Sequence, residues 1–270
     1  MPMPHNQTPL PLRKSSVSFI CVVFFCGFLF STCAYAQMEA LKDIYERAVN
    51  AFSKQQYDQA IELYGQIIKF APTFAPAYNG MALANQAAGG DEDKTIEYLK
   101  TAISYDPKLV QAYDNLGRIY YGRQDVDQSQ EYFEKALKID PNLSSAQLSL
   151  AWINLVARSR PQTAIKYFKM VLKVSQAPNI YYGMGSAYFA LNQRSDAMEM
   201  ITKLHGMGEE DLASRLEKSM RENKRVNAQV EPDAGSNPSS AKPAGLAPLD
   251  PTPDKPTGMQ ARLRGKLSDY

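Results

Sequence analysis

Residues Val110–Leu143 read VQAYDNLGRIYYGRQDVDQSQEYFEKALKIDPNL. Tyr113, Leu116, Gly117 and Tyr120 recur at spacings of three and four, which puts them on one stripe of a helix. Ser129, Phe133 and Ala136 do the same in the second half, and Asp140-Pro141 ends it. Proline disfavours helical backbone in the residue before it and has no amide to donate, so a stop there is expected. The stretch is thus two short helices and a terminator.

Neighbouring stretches fall into step with it. Ala60 and Tyr64 lead to Pro72, and Thr95 and Leu99 lead to Pro107, as Ser129 and Phe133 lead to Pro141. Downstream come Leu150-Ala151 with Ala164 and Phe168, where the proline shifts to Pro178. Last come Tyr181, Met184-Gly185 and Tyr188, with Ala197 and Ile201. A period of about 34 residues carrying aromatic, Leu-Gly, small, aromatic and Pro positions resembles the tetratricopeptide repeat.

That resemblance implies an all-α, right-handed superhelical solenoid of antiparallel helix pairs. About five units are expected, at 41–74, 75–109, 110–143, 144–177 and 178–205. Gly117 and Gly185 would let paired helices approach, as would Ala48, Ala82 and Ala151 in the same slot. Ala60, Ala164 and Ala197 would serve the second helices, leaving room for Tyr64, Phe133 and Phe168. Arg47 stands where Leu is usual. The second and fourth units each hold one extra residue, near Gly89-Gly90 and Ser159-Arg160 respectively. No pair buries its apolar face alone, so stacking builds the core.

The ends differ. Arg13 and Lys14 precede an apolar run from Val17 to Phe30, and Ala34-Tyr35-Ala36 follows it. This order fits an export signal over 1–36 cleaved after Ala36. Two other readings stay open. One is an uncleaved anchor. The other is lipid attachment at Cys33, although Phe30-Ser31-Thr32 lacks the small residue that normally precedes such a cysteine. The expected location is accordingly exported, periplasmic or secreted, with a membrane involved only through the signal segment or a lipidated Cys33. Cys21, Cys26 and Cys33 are the only cysteines, so a chain cut after Ala36 has no disulfide or thiol chemistry. At the far end, Glu209 to Arg225 places Leu212, Leu216 and Met220 on one stripe, as a capping helix over 206–225 would. From Val226 to Tyr270 the chain is rich in Pro, Ser, Ala and Gly, and a disordered tail is expected. Arg262, Arg264 and Lys266 near its end are read as a solubilising end or a short docking motif.

Charge and inventory exclude several functions. The whole chain has 30 basic and 28 acidic residues. Without Arg13 and Lys14 the balance is neutral, so there is no basic field for nucleic acid. Once the signal is gone, His205 is the only histidine, and it is read as a helix-terminal residue. Gly89-Gly90-Asp91 lacks the pattern of a phosphate loop and is read as a turn. No cofactor, metal, catalytic residue or small-molecule substrate is expected.

The resemblance instead directs attention to the concave face, lined by the first helix of each pair. Its positions here are Asn79, Leu83 and Gln86; Gln111, Asp114, Arg118 and Tyr121; Leu148, Trp152 and Leu155; and Tyr182, Ser186 and Phe189. Aromatic and Arg anchors of this kind suit a protein or peptide partner, although Trp152, Tyr182 and Phe189 could equally pack between helices. The clamp with which chaperone-binding relatives grip a C-terminal carboxylate is missing, since its positions hold Tyr45, Val49, Gly80, Gln111 and Asn115. The function expected is a non-catalytic scaffold in an extracytoplasmic assembly. The alternative is an accessory subunit of an exported enzyme.

Overall fold

The structure, a computed structural model, describes residues 37–229, with side chains placed to residue 222. The signal segment with Cys33 and Ala36, and the tail from residue 230, lie outside the described residues. Those that are described form helices and no strands. After α1 (37–53) come α2 (Tyr57–Phe70), α3 (Ala75–Ala87), α4 (Glu92–Tyr105), α5 (Val110–Gly122) and α6 (Val126–Ile139). Then follow α7 (Ser144–Trp152), α8 (Pro161–Leu172), α9 (Pro178–Ala190), α10 (Arg194–Gly206) and α11 (Glu210–Gln229).

Consecutive helices pair, α3 with α4, α5 with α6, α7 with α8 and α9 with α10, and each second helix packs on the next first helix. The result is a right-handed superhelical α-solenoid of antiparallel pairs. Its core is a chain of apolar clusters rather than one centre. Tyr98 packs against the clusters of α1–α3 and of α3–α5, and Tyr167 joins the cluster around Phe133 to that around Phe168.

The pair geometry depends on small residues meeting large rings. A Cβ on Gly117 would lie 2.8 Å from the ring of Phe133, which is fully buried. Gly185 does something different from the expectation. A Cβ there would meet Leu216 of α11 at 2.3 Å before Met200 of its own pair at 3.2 Å, so this glycine chiefly seats the last helix. Two further glycines face rings of the preceding pair, Gly80 against Tyr64 and Gly183 against Phe168, each at 2.3 Å from a built Cβ.

The turns inside the pairs are sharp. Gln55, Gln124, Ser159 and Asn192 all have φ between 51° and 62°, and Gly89 has 73°. Only Gly89 takes this left-handed backbone without steric cost. Asp91 and Asp125 then cap α4 and α6, accepting from the amides of Asp93 (2.8 Å) and Gln128 (3.1 Å).

Two sequence expectations are corrected. The extra residue near Ser159-Arg160 is taken up inside the helix, where Ile153–Ala157 forms a π turn continuing α7. A widened turn of this kind absorbs one residue without lengthening the loop. Asn154 within it is buried and donates to the Leu150 carbonyl at 2.8 Å. Second, Pro178 does not close α8. It is the first residue of α9, where a missing amide costs nothing.

Successive pairs are also stapled by arginine. Arg123, at the end of α5, pairs with Glu92 (2.5 Å) and Asp93 (2.6 Å) in the first turn of α4. Arg158, after the π turn, pairs with Asp127 in the first turn of α6 and donates to Gln130 at 3.1 Å. Acidic groups are favourable at a helix N-terminus in any case, so the arginines find charges already placed there. At the C-terminal end, α11 packs on both α9 and α10. Its Ala213 and Leu216 are buried, while Arg215, Lys218 and Arg221 remain in solvent.

Candidate functional site: the wall of first helices

The first helices form one wall, since α5 touches α7, α7 touches α9, and α9 touches α11. The candidate residues lie along it at unequal depth. Asn79 is only 2% exposed. Its Oδ1 accepts from Nδ2 of Asn115 at 3.0 Å, bridging α3 and α5. Asp114 is also buried. Gln86 is exposed, and Leu83, Gln111, Arg118 and Tyr121 are half-buried. Burial raises the phenol pKa of Tyr121 above its ordinary value.

In the C-terminal half the aromatic residues do come together, but inside the protein. Trp152 is 7% exposed and Tyr182 is 8% exposed. The Trp152 ring meets Phe168 of α8 edge-on at 5.3 Å and lies 6.5 Å from Tyr182 of α9, tilted by 32°. Trp152 thus wedges three successive helices together, the geometry aromatic pairs prefer. Of the two readings left open by the sequence, packing describes these two side chains. Leu155 is buried beside them. Leu148, Ser186 and Phe189 are half-buried, and the Ser186 hydroxyl donates to the Tyr182 carbonyl at 2.9 Å. Burial raises the Tyr182 pKa.

The accessible part of the wall is therefore Leu83, Gln86, Gln111, Arg118, Tyr121, Leu148, Ser186 and Phe189, with Asn79, Trp152 and Tyr182 holding it in shape. From the sequence, Asn115 is only a position of the missing clamp. Its role in bridging α3 and α5 becomes visible only when neighbouring units are stacked. Nothing along the wall forms a nucleophile and base, and among the described residues no group of three His, Cys, Asp or Glu could hold a metal ion. No helix among them is long and apolar enough to cross a membrane. Two shallow clefts lie elsewhere. One of about 570 Å³ opens between α4 and the end of α5, beside Lys100, Tyr120 and Arg123. Another of about 470 Å³ lies beside Lys169 and Tyr188.

The family model of the tetratricopeptide repeat matches residues 110–143. No curated protein matches the chain at a significant level. Solved structures do. A structure of pilF from Pseudomonas aeruginosa is 16% identical, with a TM-score of 0.56 over 72% of this chain and 95% of its own. YrrB, described as a TPR protein with an unusual peptide-binding site, is 16% identical, with a TM-score of 0.55 over 68% of this chain and 98% of its own. MamA of AMB-1 is 19% identical, with a TM-score of 0.52 over 63% and 92%. At such identities the likeness shows a shared fold. The matched unit is a tetratricopeptide repeat, and the helix pairing described above carries the same architecture across the described residues. As a class, such arrays are protein-interaction scaffolds.

Proposed function

We propose that the wall of first helices is a groove that binds an extended or helical segment of a protein partner, and that the chain is a non-catalytic scaffold. The observation that supports this most is the grading along the wall. Leu148 on α7 and Phe189 on α9 offer partly open apolar surface along the same wall as Arg118 and Tyr121 on α5, while Asn79, Trp152 and Tyr182 are buried. Rigid apolar and Arg contacts on a preformed surface are what a peptide interface requires. Asn79, Asp114, Trp152 and Tyr182 would act by fixing that surface rather than by touching the partner.

The proposed organisation is an export signal over 1–36 and five units over 41–74, 75–109, 110–143, 144–177 and 178–205. A capping helix at 206–225 and a tail to residue 270 complete it. In this reading the protein works in an extracytoplasmic assembly. The composition of residues 1–36 supports export, and the near-neutral remainder argues against nucleic acid. The peptide-binding site described for YrrB is consistent with a groove but is a property of that protein.

Photo-crosslinking residues placed at Tyr121 and Phe189 test the groove, with Lys100 on the exposed side of α4 as control. A single groove of this size is expected to bind at on the order of micromolar, about −8 kcal/mol, so covalent capture is needed. One partner should be captured from both groove positions, and Arg118→Glu should abolish the adduct. Equal capture from Lys100, or full capture in a folded Arg118→Glu, Phe189→Ala variant, would remove the proposal.

A further inference from the structure

His205 lies in the last turn of α10 with its side chain 40% exposed. Both of its ring nitrogens face acids on α11. Nδ1 is 2.8 Å from Oε2 of Glu210, and Nε2 is 3.3 Å from Oε1 of Glu217. An ionised carboxylate can only accept hydrogen bonds, and neutral imidazole has one N–H to give. Only the imidazolium can satisfy both contacts at once. These two acids belong to the helix that closes the apolar end of the solenoid through Ala213 and Leu216.

We infer that His205 is a protonation-dependent latch, which bridges Glu210 and Glu217 when charged and loosens α11 from the end of the array when neutral. The groups around it are arranged for this. Glu210 and then Glu217 hold its pKa above the ordinary histidine value. Glu217 is shared with Arg221 of the same helix at 2.7 Å, which tempers but does not remove its pull. Asp211 is engaged by Arg215 at 2.9 Å on the other flank, where both also face Tyr182 of α9.

Because the folded pKa is raised, the latch contributes fully below the unfolded histidine value. It is lost as pH rises through the higher folded value. Loosening α11 uncovers the surface at Gly185 and Met200 against which Leu216 sits. It also withdraws the helix flanking Tyr182 on α9. The end of the array is thus closed in mildly acidic surroundings and looser in alkaline ones.

Amide hydrogen exchange of residues 212–220 in the full chain, corrected for the intrinsic pH dependence of exchange, tests the latch. Between about pH 6 and about pH 8.5, across the range where histidine titrates, α11 protection in the native protein should fall about two- to fivefold, as expected for exposed ion pairs. In His205→Asn it should not change with pH, whatever its level. An NMR titration should place the native imidazole above the ordinary value, and Glu210→Gln should lower it. Native protection that does not move with pH, a His205→Asn variant that keeps the same pH response, or an imidazole titrating at its ordinary value would each overturn the latch.

Discussion

The hydroxyl of Tyr113 donates to the carbonyl of Pro107, six residues earlier, at 3.2 Å. Tyr78 repeats this with Pro72 at 2.9 Å, and Gln147 with Pro141 at 2.6 Å. The proline that ends one pair leaves its carbonyl without a helical partner, and the fourth residue of the next first helix supplies the donor. A side chain at a fixed offset thereby sets the angle at which one pair follows another.

Removing that donor while keeping the ring should be felt without unfolding the chain. Tyr113→Phe is expected to lower stability by about 0.5–1.5 kcal/mol, the usual net worth of one such bond. The midpoint of urea unfolding reads it. Gln147→Leu should cost a similar amount, because it keeps a buried side chain of similar size while the Pro141 carbonyl loses its donor. An unchanged midpoint in both variants would show that the bond does not orient the pairs.

Two glycines of α5 should respond in opposite directions to the same substitution. Gly117→Ala drives a methyl into the ring of Phe133. It should destabilise by about 1–3 kcal/mol even after the gain in helix propensity. Phe133→Leu should recover part of that loss in the double variant. Gly122→Ala meets nothing within 4 Å, and should stabilise by up to about 1 kcal/mol. Equilibrium unfolding of the four proteins distinguishes packing from propensity.

The left-handed turn residues offer a third check. Gln124, at φ 61°, holds a backbone that favours glycine. Gln124→Gly should raise stability by about 0.5–1 kcal/mol, the relieved strain exceeding the entropy added to the unfolded chain. Gly89→Ala, at φ 73°, should lower it by about 1 kcal/mol. Thermal unfolding gives both signs directly.

Leu216→Ala probes the closing helix. The leucine is 1% exposed and its Cδ2 fills the notch above Gly185. A void there should cost about 2–4 kcal/mol, measured by unfolding. Hydrogen exchange should show the loss of protection starting in α11. Loss confined to α2–α4 would contradict the packing described.

How much of this was legible beforehand follows from the range over which each residue acts. The spacing of Tyr113, Leu116, Gly117, Ser129, Phe133 and Pro141 determined the helix pair, because partners within a unit are brought together by a short turn. Sequence therefore identified the all-α array, the Gly117–Phe133 contact and the stripe of Leu212, Leu216 and Met220. What it could not assign was orientation between units. Position alone left Trp152 and Tyr182 either on the open face or between helices, and the stacking of α7, α8 and α9 decided for packing, with Phe168 against Trp152 and Tyr182 buried beside it. The extra residue of the fourth unit went into a π turn rather than a loop, since buried Asn154 could satisfy its own amide there. His205 looked like a simple helix end until α11 folded back and set two carboxylates against it. Periodicity determines which residues neighbour each other along the chain. The angles at which pairs stack decide which of those residues end in the groove, in the core or at a switchable contact.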